Sequence, residues 1–167
     1  FTAKSDLAYT LNVHPNIRTK KCHIIKNFPA YFPYTGKTKL LHNKLSISPT
    51  KKIILYQGVL QSGRGISQLI NLVIKSDKYV AVIIGPGDKN QFRHLAQTQK
   101  EQDKVFFIGP IPYIDLLHYT ASADIGWLMI KAVGISNKLA LPNKLFEYSL
   151  MGLPVISSNI QNISELI

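Results

Sequence analysis

From about residue 52 the chain alternates between two hydrophobic periods. "KIILYQ" is a short run rich in β-branched residues ending at Gly58, and it predicts a buried strand. In "GISQLINLVIK", Ile66, Leu69, Ile70 and Val73 recur at the i, i+3, i+4, i+7 spacing of an amphipathic helix. "YVAVIIG" is a nearly unbroken apolar strand, as expected where helices cover both faces of a parallel sheet. A polar helix is expected from Asp88 to about Lys100, and "KVFFIGP", "YIDLLHYTASA" and "DIGWLMI" then repeat strand, helix and strand. "PNKLFEYSLMG" reads as a helix with Pro142 in its first turn and Gly152 just past its end. "PVISS" is a fifth strand, and "ISELI" starts another helix. Repeated βα units of this length predict an α/β fold built on an open, doubly wound parallel sheet.

The first fifty residues do not share this rhythm. "KSDLAYTLNVHP" has the character of a helix, and "KCHIIKNFP" that of a short strand running into a turn. "PAYFPYTGKTKLLHNKLSISPT" carries three of the nine prolines and no clear period, which predicts a linker.

Composition places the chain among globular proteins: 46% hydrophobic and 17% charged residues exclude disorder. The net charge of +11 points to an anionic partner, whether nucleic acid, an acidic membrane surface or a phosphorylated ligand; the alternative is lysines that only keep the chain soluble. The basic residues are scattered, adjoining only at 20–21 and 51–52, so there is no concentrated stripe for nucleic acid. Cys22 is the sole cysteine, which rules out an internal disulfide and fits a reducing compartment. No apolar run approaches the length of a membrane span. The chain opens on Phe1 and reads as cut from a longer protein.

In an open parallel sheet, ligands bind outside the carboxyl ends of the strands, which singles out the loops at Gly58, Gly85, Gly109 and about Ile130. Each glycine also suits an ordinary tight turn. The first loop, "GVLQSGRG", has more content. Gly58 and Gly63 hold the spacing of the triphosphate-cradling pattern G-x-x-x-x-G-K-[S/T], but Arg64 replaces the lysine and Gly65 the Mg²⁺-binding hydroxyl. Neither "GVLQSG" nor "GPGDKN" fits the dinucleotide fingerprint. A helix N-terminus with Arg64 beside it suits a metal-free diphosphate; the alternative is a plain helix start with a solvated arginine. In the second cluster Asn143, Lys144 and Glu147 share one helix face, while Leu145, Phe146, Ser149 and Leu150 point toward a core. A carboxylate there can accept hydrogen bonds from adjacent sugar hydroxyls, and the Pro142–Lys144 start adds a second N-terminus and a cation. The alternative is a surface Lys144–Glu147 pair.

In order, "ILYQGVLQSGRGISQLI", "VAVIIGPGD", "VFFIGPIP", "ADIGWLMI" and "PNKLFEYSLMGLPVISSNIQNISELI" resemble the carboxyl-terminal half of GT-B-type retaining glycosyltransferases, the "glycosyl transferases group 1" family. The resemblance covers roughly residues 52–167 and is most specific from Pro142 to Pro154. It implies a Rossmann-like second domain of a GT-B fold at 52–167, incomplete at both ends, preceded by a remnant of the acceptor domain at 1–28 and an interdomain linker at 29–51.

The family's donor is a nucleotide diphosphate sugar, and no cofactor or metal is implied, in keeping with the lack of a D-x-D pair. The resemblance puts the diphosphate over Gly58, Gly63, Arg64 and Gly65 and over the helix start at Pro142, Asn143, Lys144 and Leu145. Gly85 is placed at the ligand edge. The base falls near Gly109, Pro110 and Pro112. Arg64 matches a family cation that neutralises the leaving diphosphate, and Glu147 the carboxylate that holds the ribose. Arg64, Lys144 and Glu147 are therefore the expected catalytic set.

Two departures stand out. Val59 replaces an arginine, for which Lys144 is expected to compensate, and Leu139 replaces a sugar-binding glutamate. The acceptor, a glycan or lipid-linked glycan, is expected to bind the missing domain, so that the fragment alone is inactive. The expected location is cytoplasmic with peripheral contact to an acidic membrane, and nucleic acid is not expected as a partner. A nucleotide-sugar epimerase on the same fold is the nearest alternative, and a polyanion-binding module a more distant one.

Overall fold

The computed structural model describes residues 31–34, 36–138 and 140–164. The helix expected in "KSDLAYTLNVHP", the strand in "KCHIIKNFP", Cys22 and Leu139 lie outside the described residues. Five described strands, β1 (Lys52–Gln57), β2 (Tyr79–Ile84), β3 (Val105–Ile108), β4 (Ile125–Leu128) and β5 (Val155–Ser157), form one sheet in the order β3-β2-β1-β4-β5. Every neighbouring pair is parallel. The described helices are α1 (Leu40–Lys44), α2 (Ile66–Ile74), α3 (Asn90–Arg93), α4 (Gln99–Gln102), α5 (Tyr113–Thr120), α6 (Ile135–Lys138), α7 (Asn143–Leu150) and α8 (Gln161–Ser164). This is the doubly wound α/β fold that the periodicity predicts.

Right-handed crossovers send the chain to opposite faces on either side of β1. On one face Ile54 and Tyr56 of β1 pack with Ile66, Leu69, Ile70 and Val73, the four positions read from the helical period of α2. On the other, Ile53 and Leu55 pack with Leu117 of α5 and Leu145 and Tyr148 of α7. Strand side chains alternate between faces, so Gln57 continues the row of Ile53 and Leu55 and faces α5 and α7.

The strand order reverses between β1 and β4. Strand β1 pairs with β2 from Lys52↔Tyr79 to Gln57↔Ile84, but with β4 only at Ile54↔Ile125 and Leu55↔Gly126. Past Leu55 the two strands part, and the backbone on that side needs another partner. Tyr148 supplies it: its hydroxyl accepts from the Gln57 N–H at 3.2 Å and donates to the Leu55 carbonyl at 3.1 Å.

Three local expectations are corrected. The polar helix expected over 88–100 is two short helices, because Thr98 and Glu101 form a capping box that starts α4 afresh; Thr98 Oγ1 accepts from the Glu101 N–H at 3.3 Å. On α7, Ser149 is exposed, while Glu147 and Tyr148 are buried. The last helix begins at Gln161, ahead of "ISELI". Within the stretch read as linker, Leu41 of α1 and Ile47 join the core, and the Thr38 N–H donates to the Ala121 carbonyl at 3.3 Å. No helix among the described residues is long and apolar enough to cross a membrane.

The Tyr148 ring lies against Gly126, where an added Cβ would overlap it. Gly126→Ala is therefore expected to destabilise the fold by about 1–3 kcal/mol, the cost of overpacking a filled core. Urea unfolding reads this as a lower midpoint; an unchanged midpoint would show that the ring does not depend on that space.

Candidate functional site

The reversal of strand order opens a crevice at the carboxyl ends of β1 and β4, where such sheets bind ligands. Glu147 of α7 lies there, only 7% exposed. One carboxylate oxygen, Oε2, accepts a hydrogen bond from Gln57 Nε2. The Gln57 Oε1 in turn accepts from Thr120 Oγ1 at 2.9 Å, on the last residue of α5. Gln57 and Thr120 are buried at 3% and 0% exposure, so each needs the partner it has. Among the described residues, Glu147 Oε1 is not bonded by Gln57 and is not one of the buried side-chain atoms without a partner. Burial raises the Glu147 pKa, opposed by the Gln57 hydrogen bond and the charge of Lys144.

One turn earlier, Lys144 Nζ sits 4.1 Å above the Tyr56 ring and 3.4 Å from where a Cβ on Gly58 would stand. Tyr56 also donates its hydroxyl proton to the Val59 carbonyl at 2.6 Å, so one ring fixes both the cation and the first loop. Burial pulls the Lys144 pKa down from 10.5 to about 8, repulsion from Arg64 adds to this, and Glu147 opposes it. Burial pushes the Tyr56 hydroxyl up to about 12, against the pull of Arg64. Tyr56 is therefore neutral, and its contact with Lys144 is a cation–π interaction.

Arg64 is held by Gln61, whose amide oxygen, turned toward it, accepts from Nε at 3.0 Å and Nη2 at 3.2 Å. The ion pairs among the described residues use Lys37, Lys52, Lys100 and Lys104, and neither Arg64 nor Lys144. Two mutually repelling cations thus lie beside the first loop, a local field that favours an anion. Helices α2 and α7 start there, at Gly65 and Pro142, with no side-chain cap on their first N–H groups.

The remaining expected residues divide by role. Leu145 is a core residue whose N–H donates to the Pro142 carbonyl at 3.0 Å, so it offers no donor to a ligand. Gly65 has φ 72°, and a Cβ there would overlap Met129; its carbonyl accepts from Trp127 Nε1 at 2.9 Å. Packing on β4, rather than a lost metal ligand, accounts for glycine at that position. Gly85 has φ 145° and lies against the Gly58 carbonyl, where no side chain fits. The Gly63 carbonyl accepts from the Lys131 N–H at 2.8 Å and ties the first loop to the chain after β4. Gly109 and Pro110 are exposed beyond β3, and Asn143 is exposed at the start of α7. Tyr113, at the start of α5, has its pKa raised by burial and by the charge of Glu147, which places the two near each other.

The structure thus gathers Gly58, Arg64, Lys144 and Glu147, with Gly85 buttressing the loop. The lysine and glutamate are not a surface pair; each has its own partner on β1. Sequence reading missed Tyr56, Gln57, Thr120 and Tyr148. The available signal was a glutamine ending an otherwise apolar run at the ligand edge of the sheet. A cavity of about 470 Å³ runs along the other side of the first loop, lined by Gln61, Gly63, Gly65, Ser67, Lys131 and Ser158 among others; it takes in two expected diphosphate residues but none of Tyr56, Gln57, Lys144 or Glu147.

The depressed Lys144 pKa has a consequence for stability. Between about pH 8 and 10.5 the unfolded chain holds a proton on Lys144 that the folded chain has shed. Stability contributed by this residue therefore rises with pH across that window. The stability difference between wild type and Lys144→Met should shift in favour of wild type from pH 8 to 10 in parallel urea titrations. A difference that stays flat or moves the other way would contradict the burial of this amine.

Residues 37–167 match the sequence profile of the family described as Glycosyl transferases group 1. Comparison with curated proteins finds no match. Among solved structures, the chain is similar to WaaG, a glycosyltransferase involved in lipopolysaccharide biosynthesis, with TM-score 0.76, 17% identity, and coverage of 100% of this chain and 45% of that one. Anabaena HepE in complex with UDP-glucose gives TM-score 0.73 and 17% identity over 99% of this chain and 46% of that one. A glycosyltransferase from Rickettsia africae ESF-5 gives 0.71 and 20% over 98% and 45%. These likenesses show a shared fold, and the chain spans less than half the length of the structures it matches. With the family profile covering most of its length, the chain belongs to the glycosyl transferases group 1 family.

Proposed function

We propose that this chain binds a nucleotide diphosphate sugar and, within the whole protein, transfers the sugar to an acceptor with retention of configuration and without a metal. The observation that carries the reading is the arrangement on α7: a buried carboxylate held through one oxygen by Gln57, one turn from a cation over the first loop. Glu147 Oε1 accepts hydrogen bonds from the donor's ribose hydroxyls. Arg64, Lys144 and the first amides of α2 and α7 take the diphosphate. As the bond between the sugar and the diphosphate breaks, its electron pair stays on the departing phosphate oxygen. The two cations and the helix dipoles stabilise that growing charge. Lys144 stands over Gly58, next to the position where Val59 provides no cation, and so takes the part of the missing arginine. The base rests along Gly109 and Pro110. UDP-glucose in the similarly folded HepE supports this class of donor. The acceptor, a glycan or lipid-linked glycan, would meet the sugar from the other domain, and the +11 charge favours an acidic membrane nearby.

The test is a thermal-shift screen of ADP, GDP, UDP and their sugars in a chelator, after folding is verified. At least one should stabilise the protein by mass action. Arg64→Ala and Lys144→Ala should each weaken that nucleotide roughly tenfold to a hundredfold, as loss of a charge-assisted hydrogen bond does. Stabilisation by oligonucleotide and by no diphosphate would overturn the reading, and a strict need for Mg²⁺ would overturn its metal-free part.

A further inference from the structure

Gln57 ends a strand whose other inward side chains, Ile53 and Leu55, are apolar, and it is buried as deeply as they are. A primary amide there requires both of its ends to be satisfied. The two partners come from the two helices on that face: Thr120 of α5 donates to Oε1, and Glu147 of α7 receives the N–H. The order of these bonds is chemically directed. The Glu147 carboxylate can only accept, so the amide nitrogen turns to it, and the amide oxygen is left facing the Thr120 hydroxyl, whose one proton is shared between Gln57 Oε1 at 2.9 Å and the Leu116 carbonyl at 3.0 Å. That engages Oε2 and leaves Oε1 as the carboxylate oxygen that Gln57 does not hold.

We propose that Gln57 and Thr120 are positioning residues for recognition of the donor's ribose. Thr120 holds the oxygen end of the Gln57 amide in place, and Gln57 fixes the Glu147 carboxylate so that Oε1 faces the ligand hydroxyls. The inference rests on the proposed role of Glu147 as the ribose acceptor. A hydroxyl that meets a pre-aimed carboxylate loses little rotamer freedom on both sides, so the gain from ribose is larger than with a freely rotating glutamate. Gln57→Leu removes the amide, and Thr120→Val keeps the shape but removes the donor that holds the amide oxygen. Thr120→Ser keeps the donor.

The test measures binding of UDP and of 2′,3′-dideoxyuridine diphosphate to the full-length protein and these variants. Wild type should prefer UDP by roughly tenfold to a hundredfold, the range for hydrogen bonds to a charged group. Gln57→Leu and Thr120→Val should lose most of that preference by weakening UDP alone, and Thr120→Ser should retain it. Equal weakening of both nucleotides in the variants, with the preference intact, would show a merely structural network and overturn the proposal. A wild type with no preference, matched by Glu147→Gln, would instead show that the ribose role of Glu147 fails, and the positioning role with it. If neither binds, the same pair is measured with the nucleoside diphosphate selected by the thermal-shift screen, and no binding there counts against both.

Discussion

The constraint on which the rest depends is the parting of β1 and β4 past Leu55. A parallel sheet that reverses its winding direction must leave a gap at that point, and backbone groups facing the gap lose their ladder. Here the Tyr148 hydroxyl fills the gap, accepting from Gln57 and donating to Leu55. This locks the register of α7 on the end of β1. Because helical side chains recur every three to four residues, fixing Tyr148 also fixes Glu147 beside Gln57 and Lys144 over Tyr56. Gly126 is the residue on β4 that leaves room for the ring.

From that anchor the electrostatics follow. Burial works against both ionised groups on α7, raising the pKa of Glu147 and lowering that of Lys144. Neither charge is neutralised by its nearest contact, since an amide holds the carboxylate and an aromatic face the amine. Arg64 makes the imbalance worse by repelling Lys144. On the proposed reading, an incoming diphosphate would relieve this repulsion, and ribose hydroxyls would donate to the Glu147 oxygen that Gln57 does not hold. The same features that make the apo site costly suit it to a ligand with an anionic end and a hydroxylated one.

Much of the fold was legible because its signals are local. The four buried positions of α2 and the five strand runs follow directly from hydrophobic period and from glycines at the strand ends. The break at Thr98 was equally local, but a capping box inside a polar stretch looks like continued helix until its geometry is seen. Residues 40–47 escaped because a five-residue helix with one buried leucine carries too little period to register. In the site, Arg64, Lys144 and Glu147 were named from charge type and spacing. Their partners Tyr56, Gln57 and Thr120 were not, because they act through contacts some 60 to 90 residues away in sequence, set only by sheet order. Leu145 and Gly65 show the converse: motif membership drew them into the ligand set, while packing explains their identity.

The central claim is that the diphosphate of a sugar nucleotide rests at the start of α7, between Arg64 and Lys144. A crystal structure of the full-length protein with UDP diffused in tests it most directly. The account predicts phosphate oxygens within hydrogen-bond distance of Lys144 Nζ and Arg64, and ribose hydroxyls on Glu147 Oε1. Density for the nucleotide in the cavity lined by Ser62, Ser67, Lys131 and Ser158, with Glu147 untouched, would contradict it.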